Sequence, residues 1–118
     1  MGDRVSWVLE VAVKPGQLDA FRALMQEMVE ATRAEPGALG YEWFVSEDGG
    51  VVHLNERYAG SAAALAHLAT FGEKFAGRFL ASVDPTRLTV MGSPSDEVQV
   101  ALSGFGPTYL RPFGGFAR

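Results

Sequence analysis

Apolar and polar positions change period several times along this chain, and each change marks an element. Val5 to Lys14 alternates, with Val5, Trp7, Leu9, Val11 and Val13 on one face and Ser6, Val8, Glu10, Ala12 and Lys14 on the other, which predicts a strand with one fully apolar face. Pro15 and Gly16 break it. From Gln17 to Ala34 the apolar positions Leu18, Phe21, Leu24, Met25, Met28 and Thr32 recur at helical spacing, with Gln26, Glu27, Glu30 and Arg33 opposite. Asp19 lies in the first turn, where the helix dipole favours an acid, and Glu35-Pro36-Gly37 ends the helix.

Leu39 to Ser46 and Val51 to Tyr58 are two further strand-like runs joined by Glu47-Asp48-Gly49-Gly50. Asp-Gly between alternating runs predicts a hairpin with a type I′ turn, whose two central residues, Asp48 and Gly49, need positive φ. The register follows: Tyr41 opposes Glu56, Trp43 opposes Leu54, and Val45 opposes Val52. The face carrying Tyr41, Trp43, Val45, Val52, Leu54, Glu56 and Tyr58 is the core face; Glu42, Phe44, Ser46, Val51, His53, Asn55 and Arg57 lie on the other. Ser61 is the expected N-cap of a second helix through Leu65, His67, Leu68 and Phe71, with a break at Gly72 before a short helical piece carrying Phe75, Arg78 and Phe79. Asp84-Pro85 reads as a loop and Arg87 to Gly92 as a fourth strand. The order βαββαβ predicts an α+β, ferredoxin-like domain over residues 5–92, with both helices on one face of an antiparallel sheet. Residues 93–118 form an extension: a short helix capped at Ser93, with Pro94 first and Asp96 third, ending at Gly104, and then a tail whose Phe105, Tyr109, Leu110, Phe113 and Phe116 predict docking.

The chain has 118 residues, 47% of them hydrophobic and none of them cysteine. One domain with its own core is the expected architecture. Disulfide scaffolds, thiolate metal sites and cysteine nucleophiles are excluded. No apolar run approaches the roughly 18 residues a membrane helix needs, and Met1-Gly2-Asp3-Arg4 does not resemble a signal peptide, so the expectation is a soluble, cytoplasmic protein with no membrane contact. Fourteen acids against ten scattered bases give a net charge of −4, which argues against a nucleic-acid partner. The histidines, His53 and His67, fall on different elements, so no metal site is expected, and neither a nucleophile elbow nor a phosphate loop is present.

What remains is a polar group set among aromatics. Glu56 on the core face must be paired, hydrogen-bonded or protonated. His67, on the helix that covers that face, is the candidate partner, and such a pair can take up and return a proton near neutral pH. Trp7 and Trp43, with Phe71, Phe75 and Phe79, are expected to line the same volume as an aromatic slot. The alternative is structural: Tyr41, Glu56 and His67 as a satisfied buried cluster, and the aromatics as ordinary core.

Glu35-Pro36-Gly37-Ala38-Leu39-Gly40-Tyr41-Glu42, then Asn55-Glu56-Arg57-Tyr58, then Ser61-Ala62-Ala63-Ala64-Leu65-Ala66-His67 together resemble the antibiotic biosynthesis monooxygenase family of the dimeric α/β-barrel group. Gly37, Tyr41, Glu56 and His67 match its pattern, while Tyr58 stands where many members have Trp. The resemblance implies a sheet packed against that of a second subunit and, for some members, cofactor-independent oxygenation of quinols or anthrones by O₂. It makes His67, Glu56 and Tyr41 the candidate catalytic residues and Trp7, Trp43, Phe71, Phe75 and Phe79 the candidate substrate contacts. The first strand lacks the Asn used by the haem-degrading branch, which counts against haem degradation. A non-oxygenase isomerase or decarboxylase on the same scaffold, or a non-catalytic ligand-binding or stress-related dimer, are the alternatives. The bare sheet face, with Val8, Ala12, Phe44 and Val51, accounts for the high hydrophobic fraction if a two-fold homodimer covers it, in which case the diluted protein should not persist as a folded monomer.

Overall fold

A computed structural model describes residues 3–118. Met1 and Gly2, part of the segment read above as unlike a signal peptide, lie outside the described residues. The first six elements are β1 (Val5–Val13), α1 (Leu18–Arg33), β2 (Ala38–Val45), β3 (Val51–Tyr58), α2 (Ser61–Thr70) and α3 (Ala76–Ser82). They are followed by β4 (Val83–Gly92), α4 (Asp96–Leu102) and β5 (Thr108–Leu110). The chain thus adopts the α+β ferredoxin-like fold, with an open five-stranded sheet ordered β2-β3-β1-β4-β5. The first four strands pair antiparallel; β5 adds a parallel edge to β4, so the sheet is mixed rather than wholly antiparallel.

The helices cover one face, and the alternation of β1 explains why. Val5, Trp7, Leu9 and Val11 are buried in one core cluster with Phe21, Leu24 and Met28 of α1. Each such side chain contributes about 1.5–3 kcal/mol through removal from water. The other sheet face is bare: Phe44 and Val51 are exposed there, beside Glu10, which lies 3.4 Å from His53 and 3.9 Å from Arg87.

The β2–β3 register is the expected one, Tyr41 opposite Glu56 and Val45 opposite Val52, but the turn differs. No non-glycine residue has positive φ among the described residues, so Asp48 does not form a type I′ turn. Instead the Gly49 N–H donates to the Ser46 carbonyl, with Gly49 itself at φ 75°, and Asp48 Oδ1 accepts from Gly50 N–H and the Ser46 hydroxyl. Those bonds, the Gly50 one foremost, hold the Asp48 carboxyl below its ordinary range. Ser46 still bonds Val51 across the same four residues, so the register survives the change of turn.

Other boundaries move for local reasons. Asp84-Pro85 is not a loop but the start of β4. Thr86 bulges between Glu10↔Arg87 and Val11↔Pro85 and donates its hydroxyl to the Glu10 carbonyl, and a bulge is where a strand tolerates a residue without an N–H. Gly72 does not break the helix; residues Phe71–Phe75 form one wide π turn that carries α2 into α3. Gly60, not Ser61, is the cap of α2, and the Ser61 hydroxyl accepts instead from the Ser95 N–H at 2.9 Å. α4 is capped by Ser95 rather than Ser93, through Val98 N–H, and the helical path runs past Gly104 as a 3₁₀ turn to Gly106, whose φ is 61°. The tail docks on its own chain through Phe105, half-buried against the core, and through β5; Phe113 and Phe116 are exposed.

Candidate active site

Three local features converge beneath α2. Alternation along β3 points Leu54, Glu56 and Tyr58 inward together. The alanine-rich start of α2 lets that helix lie close, with Ala64 fully buried and His67 one turn further on the same face. The segment after α1 supplies the third. A Cβ on Gly37 would overlap that of Ala63, so the absence of a side chain at Gly37 is what allows α2 to approach and brings Glu35 within reach of His67.

The resulting cluster is a chain of four residues. The Tyr58 hydroxyl donates to Glu56 Oε1 at 2.6 Å; His67 Nε2 lies 3.2 Å from the same oxygen; His67 Nδ1 lies 3.1 and 3.3 Å from the two oxygens of Glu35. Glu56 is 4% exposed and His67 6%, so this carboxylate and imidazole are held out of water and need each other. Burial by itself pulls the His67 imidazole down, but the bond and charge of Glu56, followed by those of Glu35, outweigh it and leave His67 more basic than an ordinary histidine. With a carboxylate on each nitrogen, the imidazolium is the form whose two N–H groups both have acceptors. Burial, reinforced by the Glu56 charge, pushes the Tyr58 and Tyr41 phenols far above their usual range, so both stay neutral.

Glu56 and His67 stand on the wall of a cavity of about 30 Å³ that is otherwise almost wholly apolar. Trp7, Phe71 and Phe79 line it as expected, and so do Leu102 and Phe105 of the C-terminal extension. Trp43 and Phe75 do not. Trp43 borders a separate cavity of about 100 Å³ between α1 and β2, and Phe75 is buried under the Arg78 guanidinium. Tyr41 packs edge-on against the His67 ring, centroids 5.4 Å apart, but is not on the cavity wall; its hydroxyl and the Trp43 indole N–H are buried without partners among the described residues.

The sequence reading missed two members of the cluster and the contribution of the extension. Tyr58 was legible in part, since it lies two residues from Glu56 on the same strand face. Glu35 carried a weaker signal: an acid just past a helix C-terminus sits where the dipole disfavours it, and so calls for a partner. Among the described residues no group of acids and histidines is arranged to hold a metal ion, and no helix is long and apolar enough to cross a membrane.

The sequence model of the antibiotic biosynthesis monooxygenase family matches residues 4–87. The chain belongs to that family. Rv0793 of Mycobacterium tuberculosis, whose name carries a provisional monooxygenase assignment, is 38% identical over 58 residues, 49% of this chain and 57% of that protein. The chain therefore matches little more than half the length of that curated relative. In structure, MupZ from Pseudomonas fluorescens superposes with a TM-score of 0.88 at 24% identity, covering 100% of this chain and 91% of its own. SnoaB from Streptomyces nogalater, described as a cofactor-independent oxygenase, gives 0.67 at 16% identity, covering 79% of this chain and 95% of its own. At such identities the likeness is one of fold. The family match ends before α4, so the part of the cavity wall made by Leu102 and Phe105 lies outside it.

Proposed function

We propose that this member of the family is a cofactor-independent monooxygenase that oxidises a small electron-rich aromatic, a quinol or anthrone, with O₂. The observation that carries the reading is the buried Glu56–His67 pair on the wall of an apolar cavity, with Glu35 on the far nitrogen of the imidazole. Tyr58 and His67 both meet Glu56 Oε1, which leaves Oε2 as the oxygen with free capacity to take a proton from a phenol or an activated C–H group. The imidazolium of His67 then faces the developing anion, which it stabilises by charge in surroundings that screen poorly. The substrate anion supplies the electrons. For an anthrone the ring CH₂ and O₂ become a carbonyl and water, so no further reductant enters the balance. Trp7, Phe71 and Phe79 hold the ring, and Tyr41 keeps the His67 imidazole in place by edge contact.

The same reading has the protein act as a cytoplasmic homodimer joined through the bare sheet face. The apolar exposure of Phe44 and Val51 on that face supports it. Sedimentation of the wild type and of Phe44→Arg, expected to be dimer and monomer respectively, checks this part.

A second reading, a proton-transfer enzyme such as an isomerase or decarboxylase, is favoured by the fact that the cluster itself supplies an acid and a base and nothing that handles oxygen. One experiment separates them: 1,4-naphthohydroquinone and 1,8-dihydroxyanthrone are incubated with the protein under air and under argon, and quinone formation and O₂ uptake are followed against protein-free solutions. The oxygenase reading expects protein-dependent O₂ uptake that Glu56→Gln abolishes. Absence of any uptake above background sinks it, and substrate turnover under argon establishes the second reading instead.

A further inference from the structure

The cavity beside Glu56 and His67 is too small for the ligand the chemistry requires. An apolar cavity that accepts a benzene ring measures on the order of 150 Å³, against about 30 Å³ here, so some of the wall must give way before an aromatic ring can enter. Most of it is fixed. Trp7, Leu54, Phe79 and Leu102 are buried core, and β1 and β3 are paired along their lengths. The half-buried members of the wall are Leu68, Phe71 and Phe105, and these mark its mouth.

The three differ in backbone setting. Leu68 and Phe71 sit in the continuous helical path of α2 and the π turn, where the Phe71 N–H bonds the carbonyls of His67 and Leu68. Phe105 ends a three-residue 3₁₀ turn between two glycines. Neither Gly104 nor Gly106 has a neighbour within 4 Å of the place a Cβ would occupy, and Gly106 takes the left-handed conformation that closes the turn. The base of this segment is anchored, by Val98 and Leu102 in the core and by the Ser95 N–H on the Ser61 hydroxyl. The extension therefore presents one aromatic side chain on a short turn between two uncrowded glycines, with a fixed helix before it and β5 paired to β4 after it.

We propose that Phe105 is the specificity-determining residue of this site: it closes the mouth between α2 and α4, and the bulk of its ring sets how many fused rings the cavity admits. The inference rests on the reading of this cavity as the binding site for an aromatic substrate. It adds that selection by size comes from the C-terminal extension, outside the region the family match covers.

The test is calorimetric titration of wild type, Phe105→Leu and Phe105→Ala with two probes that need no turnover, phenol with one ring and 1-naphthol with two. Removing the ring of Phe105 is expected to raise the preference for 1-naphthol over phenol by roughly tenfold in the Ala variant, within the range that a few methylenes of pocket volume impose, and by less in the Leu variant. Phe116→Ala, at an exposed position of the tail, is expected to leave the ratio unchanged. A shift below about threefold in Phe105→Ala, or no binding of either probe to any of these proteins, overturns the assignment. Should the Ala variant not fold, Phe105→Leu decides alone, an unchanged ratio counting against the proposal. A shifted ratio in proteins that never consume O₂ with quinols or anthrones keeps Phe105 as the selector and removes only the oxygenase reading.

Discussion

The two histidines of this chain stand on opposite faces of one sheet, and each has a carboxylate beside it. His53 lies 3.4 Å from Glu10 on the bare face, its side chain 44% exposed. His67 lies between Glu56 and Glu35 on the covered face, its side chain 8% exposed. In the first case water competes with the partner on both sides, and the pair is worth no more than about 1 kcal/mol. In the second, water has been displaced by α2, so each charge depends on its neighbours. Proximity of a histidine to an acid therefore says little until burial is known.

The contrast can be broken most forcefully at His67. His67→Ala leaves Glu35 and Glu56 facing a void without their cation and is expected to destabilise the protein by about 3–5 kcal/mol, read as a lowered midpoint in urea unfolding. Should the variant unfold at the wild-type midpoint, the cluster is not the structural keystone its burial implies. A smaller effect follows from Gly37→Ala, where the new Cβ presses α2 outward through Ala63: a loss of about 1–3 kcal/mol is expected, partly recovered in the double variant with Ala63→Gly. No recovery in that pair would mean that the close approach is not what positions the helix.

The pH profile sharpens the comparison further. His67 keeps its proton to higher pH in the folded chain than its ordinary value of 6.5, so the stability from its paired, charged form is fully present below about pH 6.5 and is lost as pH rises through the raised folded value. Glu35, Glu56, Tyr58 and Tyr41 are the titratable groups around it, and both tyrosines remain neutral throughout that window. The midpoint difference between wild type and His67→Gln should therefore shrink as pH is raised; a difference that grows would reverse the sign of the coupling. The least effect belongs to His53→Ala, expected within about 1 kcal/mol in urea unfolding, since an exposed pair contributes little.

Much of the fold was legible because its determinants are local. The period of two along β1 and β3 and the helical period of α1 named the core face before any packing was known. The four-residue connection at Glu47-Asp48-Gly49-Gly50 conveyed the register even though the turn type was different. The errors fell where a tertiary partner overrides a local preference. Ser61 looks like a cap, yet its hydroxyl is taken by the Ser95 N–H from across the domain. Pro85 looks like a strand breaker, yet a bulge at Thr86 accommodates it. Gly72 looks like a helix break, yet the backbone absorbs the irregularity as one π turn that keeps Phe71 and Phe79 in contact, ring centroids 5.3 Å apart.

The amino-acid sequence alone determined the order of elements, the inward face of each strand and the presence of a carboxylate on that face, since these follow from periodicity and the nature of the side chains. Only the tertiary structure decided that Glu35 and Tyr58 complete the cluster, that Trp43 and Phe75 stand away from the cavity, and that Phe105 stands at its mouth. The reason is physical. Periodicity says which way a side chain faces, but which distant residue it meets depends on how closely the layers approach, and here that distance is set by one missing Cβ at Gly37 against Ala63.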